Sequence, residues 1–240
     1  MATERVLVHM LVAVPPDVVW RALRDPAEVA RWFGWEYEGL TAEIEQIFVD
    51  GATAEDDART LTFTDGDRFE VAPEGEGTRL TVHRPAERDR LDGVYDQIDE
   101  GWISFTQQLR FALERHPGED RRTVSVTGLG LGPREAPLLS HLGLRLLGED
   151  PVGGRYEVDR PDGSTFQGEI FFQTDLQIGL TVDEDDDALL VVARTPPSAA
   201  PPDGEVMMIL SLFGYDDARL ADAERRWTAW WGGAEETGGA

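Results

Sequence analysis

The sequence predicts an α+β protein in which one order of elements occurs twice: a strand, short helices, an antiparallel meander and a long closing helix. Alternating apolar and polar residues, separated by turn signals, predict the strands of both halves. The apolar period lengthens to that of a helix at the end of each half, over residues 94–115 and 216–231. The first and closing helices are also similarly spaced, beginning near 16 and 94 and again near 133 and 216. This repetition indicates a duplicated unit.

The first half is predicted to open with a strand and two short helices. Residues 5–14 (RVLVHMLVAV) are strongly apolar, as is typical of a strand. Pro16 fits the first turn of a helix over residues 16–24, where a missing N–H has no cost. Asp25 can cap a second helix, and Gly34 is expected to end it.

A meander is predicted to follow these helices. Residues 36–49 are expected to be extended, because Ile44 and Phe48 keep one parity of an alternating pattern. Residues 60–71 contain an Asp-Gly pair between two β-prone runs, which predicts a hairpin. A further strand is expected at 78–82, before the closing helix.

The second half is predicted to repeat this order. A helix is expected over residues 133–142. The acidic run 183–187 is expected to be a hairpin turn, because it lacks the ligand spacing and central glycine of an EF-hand loop. Strands are predicted at residues 122–129, 154–159, 164–182, 188–194 and 206–212. We therefore predict two domains, 1–118 and 121–232, followed by a flexible tail at 233–240.

Composition narrows the classes of function. The 240 residues are 41% hydrophobic and 29% charged, as in an ordinary soluble globular protein. The net charge of -25 disfavours nucleic acid and anionic membranes as partners. The chain has no cysteine and no lysine, which excludes disulfides, thiolate metal sites and Schiff-base lysines. Since we find no signal-peptide core and no apolar run of spanning length, a cytoplasmic protein is expected.

No residue pattern predicts a catalytic or metal centre. The four histidines, His9, His83, His116 and His141, do not share the spacing of metal ligands. The G-x-S-x-G pattern of a nucleophilic serine is absent. With 47 carboxylates in the chain, adjacent acidic residues carry no information about acid–base catalysis. We therefore expect no catalytic residues, no metal and no cofactor.

Two segments carry a family resemblance: VAVPPDVVWRALRDPAEVARWFG and EGWISFTQQLRFALE. They resemble the START-like, or SRPBCC, superfamily, and are most similar to homologues of the heat-shock-protein ATPase activator. The resemblance covers about residues 5–115 and implies a helix-grip fold, a curved antiparallel sheet around a long C-terminal helix, with a cavity or groove between them. The second half lacks the Asp-Pro…Arg-Trp-Phe element and is predicted to be a divergent second copy. The matching positions are Pro15, Pro16, Val19, Trp20, Ala22, Leu23, Asp25, Pro26, Arg31, Trp32, Phe33, Gly101, Trp102, Phe105 and Leu109.

The resemblance implies three alternative functions, because the superfamily includes hydrophobic-ligand binders, polyketide cyclases and aromatases, and chaperone-linked proteins. The first hypothesis is a non-enzymatic protein that binds an apolar small molecule between the sheet and the long helix. A co-chaperone-like module that binds a protein partner and a cyclase-type enzyme stay open. Tyr95, Ser104 or Gln108 could supply polar contacts to a ligand. The residues predicted to line the cavity are Trp32, Phe33, Phe48, Phe63, Phe69, Tyr95, Ile98, Trp102, Phe105 and Leu109.

Overall fold

The chain divides into two compact units, residues 1–119 and 120–240. A computed structural model describes residues 4–86, 95–129, 145–146, 152–159 and 163–237. The helix predicted at 133–142 therefore lies outside the described residues. The boundary between the units falls between the two domains that the sequence predicts, and independent folding of each domain stays a prediction.

Unit 1 is a five-stranded antiparallel sheet with helices before and after its meander. The first strand pairs with the last, which gives the order β1-β5-β4-β3-β2. Its elements are β1 (Glu4–Val12), α1 (Pro16–Arg24), α2 (Pro26–Val29), α3 (Leu40–Ile44), a π-helical turn (Glu45–Asp50), β2 (Ala52–Glu55), β3 (Thr60–Phe63), β4 (Arg68–Glu74), β5 (Gly77–Pro85) and α4 (Gln97–Arg115).

The two N-terminal helices form where local sequence predicts them. Pro16 occupies the first turn of α1, and the Asp25 side chain accepts a hydrogen bond of 3.0 Å from the backbone N–H of Ala27 at the start of α2. Gly34 adopts a φ of +60°, a left-handed conformation that glycine takes without steric cost. Asp25 and Pro26 therefore mark the start of α2 as predicted. The prediction that Gly34 ends this helix is wrong, because α2 ends at Val29 and the N–H groups of Arg31 and Trp32 bond carbonyls three residues back, as in turns.

The prediction of an extended segment over residues 36–49 is wrong. This region forms α3 and then the π-helical turn. Ile44 and Phe48 are both buried, whereas Glu45 and Gln46 between them are exposed. A separation of four residues preserves strand parity and also places two side chains on one face of a helix. The spacing of Ile44 and Phe48 therefore reflects the buried face of a helical segment and not the alternation of a strand.

Unit 2 is a seven-stranded antiparallel sheet followed by a long helix. Its order is β6-β12-β11-β10-β9-β8-β7, so the first strand again pairs with the last. The final helix extends to Thr237, so the tail predicted at 233–240 begins inside it. The elements are β6 (Arg121–Leu129), β7 (Arg145–Leu146), β8 (Arg155–Asp159), β9 (Thr165–Gln173), β10 (Gln177–Val182), β11 (Ala188–Thr195), β12 (Glu205–Phe213) and α5 (Asp217–Thr237).

In each unit the long helix packs against the sheet through aromatic side chains. The Trp102 ring of α4 lies 4.9 Å from the Phe69 ring of β4, and the Trp227 ring of α5 lies 5.1 Å from the Phe166 ring of β9. An antiparallel sheet packed on a long C-terminal helix is the helix-grip arrangement. The predicted α+β fold class is therefore confirmed.

Candidate functional site

Seven aromatic side chains of unit 1 form one continuous cluster between the sheet and α4. Neighbouring ring centroids lie 4.8 to 6.4 Å apart, and most pairs meet edge to face or at a tilt. All of these rings are buried except that of Phe105, which is partly exposed. We call this set the aromatic cluster: Trp32, Phe33, Phe48, Phe63, Phe69, Trp102 and Phe105.

Trp102 is the centre of the aromatic cluster, because its ring lies against all five phenylalanines. The nearest centroids are those of Phe69 at 4.9 Å and Phe63 at 5.3 Å. Phe33 and Phe48 each lie 6.3 Å away, and Phe105 lies 6.4 Å away. The orientation of this one ring therefore affects the packing of every phenylalanine around it.

The polar atoms of the two tryptophans in the aromatic cluster are satisfied by the protein. The indole N–H of Trp102 donates to Oδ2 of Asp67 over 2.6 Å, and that of Trp32 donates to the backbone oxygen of Ala22 over 2.9 Å. The rings consequently offer a neighbouring molecule aromatic faces and edges, with no free indole donor.

Asp67 is the fully buried acceptor of this arrangement, with 0% of its surface exposed. Its Oδ1 accepts a hydrogen bond of 2.8 Å from Nε of Arg84 while Oδ2 accepts from Trp102. A buried carboxylate is stable when it is both paired and hydrogen-bonded, and both conditions hold here. We call Asp67, Trp102 and Arg84 the unit 1 latch, because it joins the β3–β4 turn and β5 to α4.

Further charges extend the unit 1 latch at the N-terminus of α4. Arg84 Nη1 donates to Asp99 over 2.6 Å, and Arg5 from β1 donates to the same carboxylate over 2.5 and 2.6 Å. Burial would lower the pKa of Arg84, but the hydrogen bonds that Arg84 donates to Asp67 and Asp99, together with the charges of these carboxylates, outweigh burial and raise that pKa above its ordinary value. Arg84 is therefore held in its charged form between two aspartates.

Ile98 departs from its predicted place in the buried stripe of α4. Its side chain is 52% exposed. Asp99, Trp102 and Thr106 are spaced by three and four residues and share one helix face, so Asp99 takes the sheet-facing position of the first turn. Asp99 is held there by Arg5 and Arg84.

The other predicted positions fall into two groups. Leu109 is fully buried in α4, and Tyr95 is partly exposed just before that helix. Ser104 and Gln108 are buried, but helical geometry places them on the side of α4 away from Trp102. Their role as polar contacts to a ligand stays a prediction.

Unit 2 contains the same kind of latch. Asp185 is 1% exposed and accepts from the indole N–H of Trp227 over 2.9 Å and from Arg226 over 2.7 Å. Tyr215 also donates to this carboxylate over 3.2 Å, and burial together with the charge of Asp185 raises the pKa of Tyr215 to about 12. The rings around Trp227 are those of Phe166, Trp230 and Trp231, at 5.1 to 5.8 Å. We call Asp185, Trp227 and Arg226 the unit 2 latch.

The predicted turn at 183–187 supplies the carboxylate of the unit 2 latch. A short 3-10 segment over Asp183–Asp185 is followed by Asp186 and Asp187 with φ values of 56° and 58°. Aspartate is among the few residues other than glycine that adopt this conformation readily. The acidic run thus forms a tight turn between β10 and β11, as predicted, and directs one of its carboxylates inward.

An open depression of about 390 Å³ lies outside the unit 2 latch. Both of its arginines are paired: Arg219 bonds Asp186, which lies outside the lining, and Arg226 bonds both Asp185 and Asp222. It therefore presents paired charges rather than a concentrated charge of one sign. Its lining residues are Glu184, Asp185, Tyr215, Ala218, Arg219, Asp222 and Arg226.

No group of three or more histidine, aspartate or glutamate side chains is placed to hold a metal ion among the residues that the structure describes. Within the same residues, no helix is both long enough and apolar enough to cross a membrane.

Comparison with known proteins gives distant structural likenesses. No family model and no curated protein matches the chain. The di-domain ARO/CYC BexL from the BE-7585A biosynthetic pathway is 14% identical, with 99% of each chain covered and a TM-score of 0.37. Protein MLL2253 from Mesorhizobium loti is 22% identical over 48% of this chain and 95% of that one, with a TM-score of 0.35. The AHSA1-like protein from Aeromonas hydrophila is 12% identical over 98% and 94%, with a TM-score of 0.27. These values assign neither a site nor a function.

Proposed function

We propose that this protein binds an uncharged, apolar small molecule at the aromatic cluster of unit 1. The observation that carries the proposal is the concentration of seven rings between the sheet and α4, with a partly exposed ring, Phe105, at its edge. Ligand sites are lined mainly by hydrophobic and aromatic side chains. The resemblance of residues 5–115 to START-like proteins supports the same function.

The chemistry of the aromatic cluster favours a ligand that is planar and apolar. Its two indole donors are already bonded to Asp67 and to Ala22, so a guest gains little from polar groups there. Aromatic faces and edges interact best with other aromatic or unsaturated surfaces. The net charge of -25 also repels anionic ligands, which removes free fatty acids from the preferred class.

Phe33 and Phe105 are the rings that we propose to move when a ligand enters. Their centroids lie 4.8 Å apart, and Phe105 is the partly exposed member of the pair. Phe33 follows the short helix α2, whereas Phe105 lies on the long helix α4, so the pair joins two separate elements. A rotation of the Phe105 side chain would open the aromatic cluster without unfolding either helix.

The test is titration of the full chain with an uncharged fluorescent probe, N-phenyl-1-naphthylamine. We expect saturable binding that changes little with salt, because apolar burial is not screened. The Phe105→Ala variant should lose most of this binding while keeping its fold. The matched control is Phe166→Ala in unit 2, which removes a buried phenylalanine from the other unit and should leave the probe affinity unchanged.

Two results would decide against the proposal. Absence of probe binding to the wild-type chain would mean that the rings fill the space permanently, and a protein-interaction function would then take its place. Equal losses of binding in Phe105→Ala and Phe166→Ala would place the site elsewhere. Organic extraction and mass spectrometry of the protein purified from its native host would identify a bound molecule directly.

A further inference from the structure

We infer that Asp67 is a positioning residue that fixes the Trp102 ring and thereby sets which ligands fit the aromatic cluster. This inference rests on the function proposed above. Asp67 itself lies at the N–H edge of the ring, where its Oδ2 accepts a hydrogen bond of 2.6 Å from the indole N–H. Its effect on a ligand would therefore pass through the orientation of Trp102.

The position of Asp67 is well determined by its own backbone. Its carbonyl oxygen accepts from the N–H of Phe63 over 2.8 Å, and its N–H donates to the side chain of Asp65 over 3.2 Å. Phe63 is also a member of the aromatic cluster, 5.3 Å from the Trp102 ring. One tight turn therefore places both a cluster ring and the acceptor that orients the central ring.

The hydrogen bond restricts Trp102 in a way that ring packing alone does not. Phenylalanine rings contact Trp102 on several sides, and the apolar burial that they provide is non-directional, so it tolerates small rotations of the ring. A charge-assisted hydrogen bond is directional and roughly twice as strong as a neutral one. The N–H edge of the ring is thereby fixed, while its other sides contact the phenylalanine rings among which we propose that the ligand binds.

The unit 2 latch repeats, in the other unit, the hydrogen bond between a buried aspartate and a tryptophan. Asp67 lies in the β3–β4 turn and Asp185 lies in the β10–β11 turn. In chain order, each turn joins the two strands that come just before the final strand of its unit, β5 or β12. Each aspartate accepts from a tryptophan of the closing helix of its unit. The arginine differs in origin, because Arg84 comes from a strand and Arg226 from the helix itself. The aspartate–tryptophan pair is thus the shared part.

Asp67→Asn is a specific perturbation of the unit 1 latch. Asp67 accepts from two donors, one on each oxygen, whereas asparagine has one acceptor oxygen and directs an NH₂ group at the other donor. One of the two bonds must therefore be lost. Arg84 keeps its bond of 2.6 Å to Asp99, so its charge remains paired and the variant is expected to fold.

The experiment compares two uncharged probes of different size, N-phenyl-1-naphthylamine and the larger Nile red, on the full chain. The measured quantity is the ratio of their dissociation constants in the wild type, in Asp67→Asn and in the matched control Asp185→Asn. We expect about a tenfold change of the ratio in Asp67→Asn, since specificity set by the fit of a ring is of this order. Asp185→Asn should leave the ratio unchanged. The Trp102 indole N–H resonance, assigned with Trp102→Phe, should shift in Asp67→Asn alone.

The outcomes separate this inference from the proposed function. Binding of neither probe to the wild type overturns the proposed function and the inference together. Binding to the wild type with an unchanged ratio in Asp67→Asn overturns the inference and leaves the proposed function intact. Equal changes in both aspartate variants also overturn it, because they would reflect a general loss of stability. A Trp102 resonance that stays in place in Asp67→Asn would show that packing alone orients the ring.

Discussion

Truncating Trp102 to alanine tests whether the aromatic cluster is organised around one ring. The side chain is 7% exposed and lies against the five phenylalanines of the cluster. Removing a buried tryptophan costs about 3–5 kcal/mol through lost transfer energy and the cavity left behind. The same change deprives the buried Asp67 carboxylate of a donor, which adds about 1–3 kcal/mol. These losses are large beside a typical domain stability of about 5–15 kcal/mol.

The assay is urea unfolding of Trp102→Ala and of Ile98→Ala, followed by far-UV circular dichroism so that the lost tryptophan does not affect the signal. Ile98 lies four residues away in the same helix but is 52% exposed, so its truncation should change the unfolding free energy by less than about 0.5 kcal/mol. Trp102→Phe keeps an aromatic ring and loses the N–H, so its loss of unfolding free energy should lie between those of the two alanine variants. A Trp102→Ala variant within about 1 kcal/mol of wild type would refute the central role of this ring, as would equal losses in the two alanine variants.

Two further predictions concern the units separately. The pKa of Tyr215 is about 12 in the folded chain against an ordinary 10.0, so the unfolded chain releases this proton first and the unfolding free energy should fall as pH rises from about 10 to about 12. Because the chain has no lysine, tyrosines are the side chains that titrate there, and Tyr215→Phe should flatten the decline in a pH series of urea melts. Residues 1–119 expressed alone should give a cooperative thermal transition, which calorimetry would measure. A fragment that stays unfolded would contradict two independent domains.

The helices of unit 1 differ in how far local sequence determines them. Pro16 and Asp25 act within one turn of their own positions, and the bounds predicted for α1 and the start predicted for α2 agree with the structure. The end of α2 at Val29, before Gly34, was not predicted, since no proline or glycine marks it. The segment 36–49 was predicted incorrectly because an even spacing between Ile44 and Phe48 fits both a strand and a helix. Only the surrounding packing distinguishes these two conformations.

Some features of the candidate site could also be predicted from the sequence, and others could not. Apolar periodicity and aromatic content are sufficient to predict that Phe33, Phe105 and Trp102 come together. The exposure of Ile98 could not be predicted, because its spacing of four residues from Trp102 fits the buried face of α4. The ion pairs of the neighbouring Asp99 with Arg5 and Arg84 come from strands distant in sequence. Asp67 was missed for another reason. The chain has 47 acidic residues, and no local feature marks Asp67 as one whose side chain is buried.

The two latches also affect how the stability of this protein should be measured. The cation of each is a guanidinium group, from Arg84 or Arg226, bonded to a buried carboxylate. Guanidinium chloride supplies the same planar donor at molar concentration, so it competes for Asp67 and Asp185 as soon as either latch opens. Guanidinium chloride is also a salt, so it screens the repulsion between like charges in a chain of net charge -25. This screening stabilises the folded chain, whereas the competition for the two carboxylates destabilises it. Urea has neither effect, and the gap between free energies extrapolated from the two denaturants therefore reports the balance between ion pairing and self-repulsion.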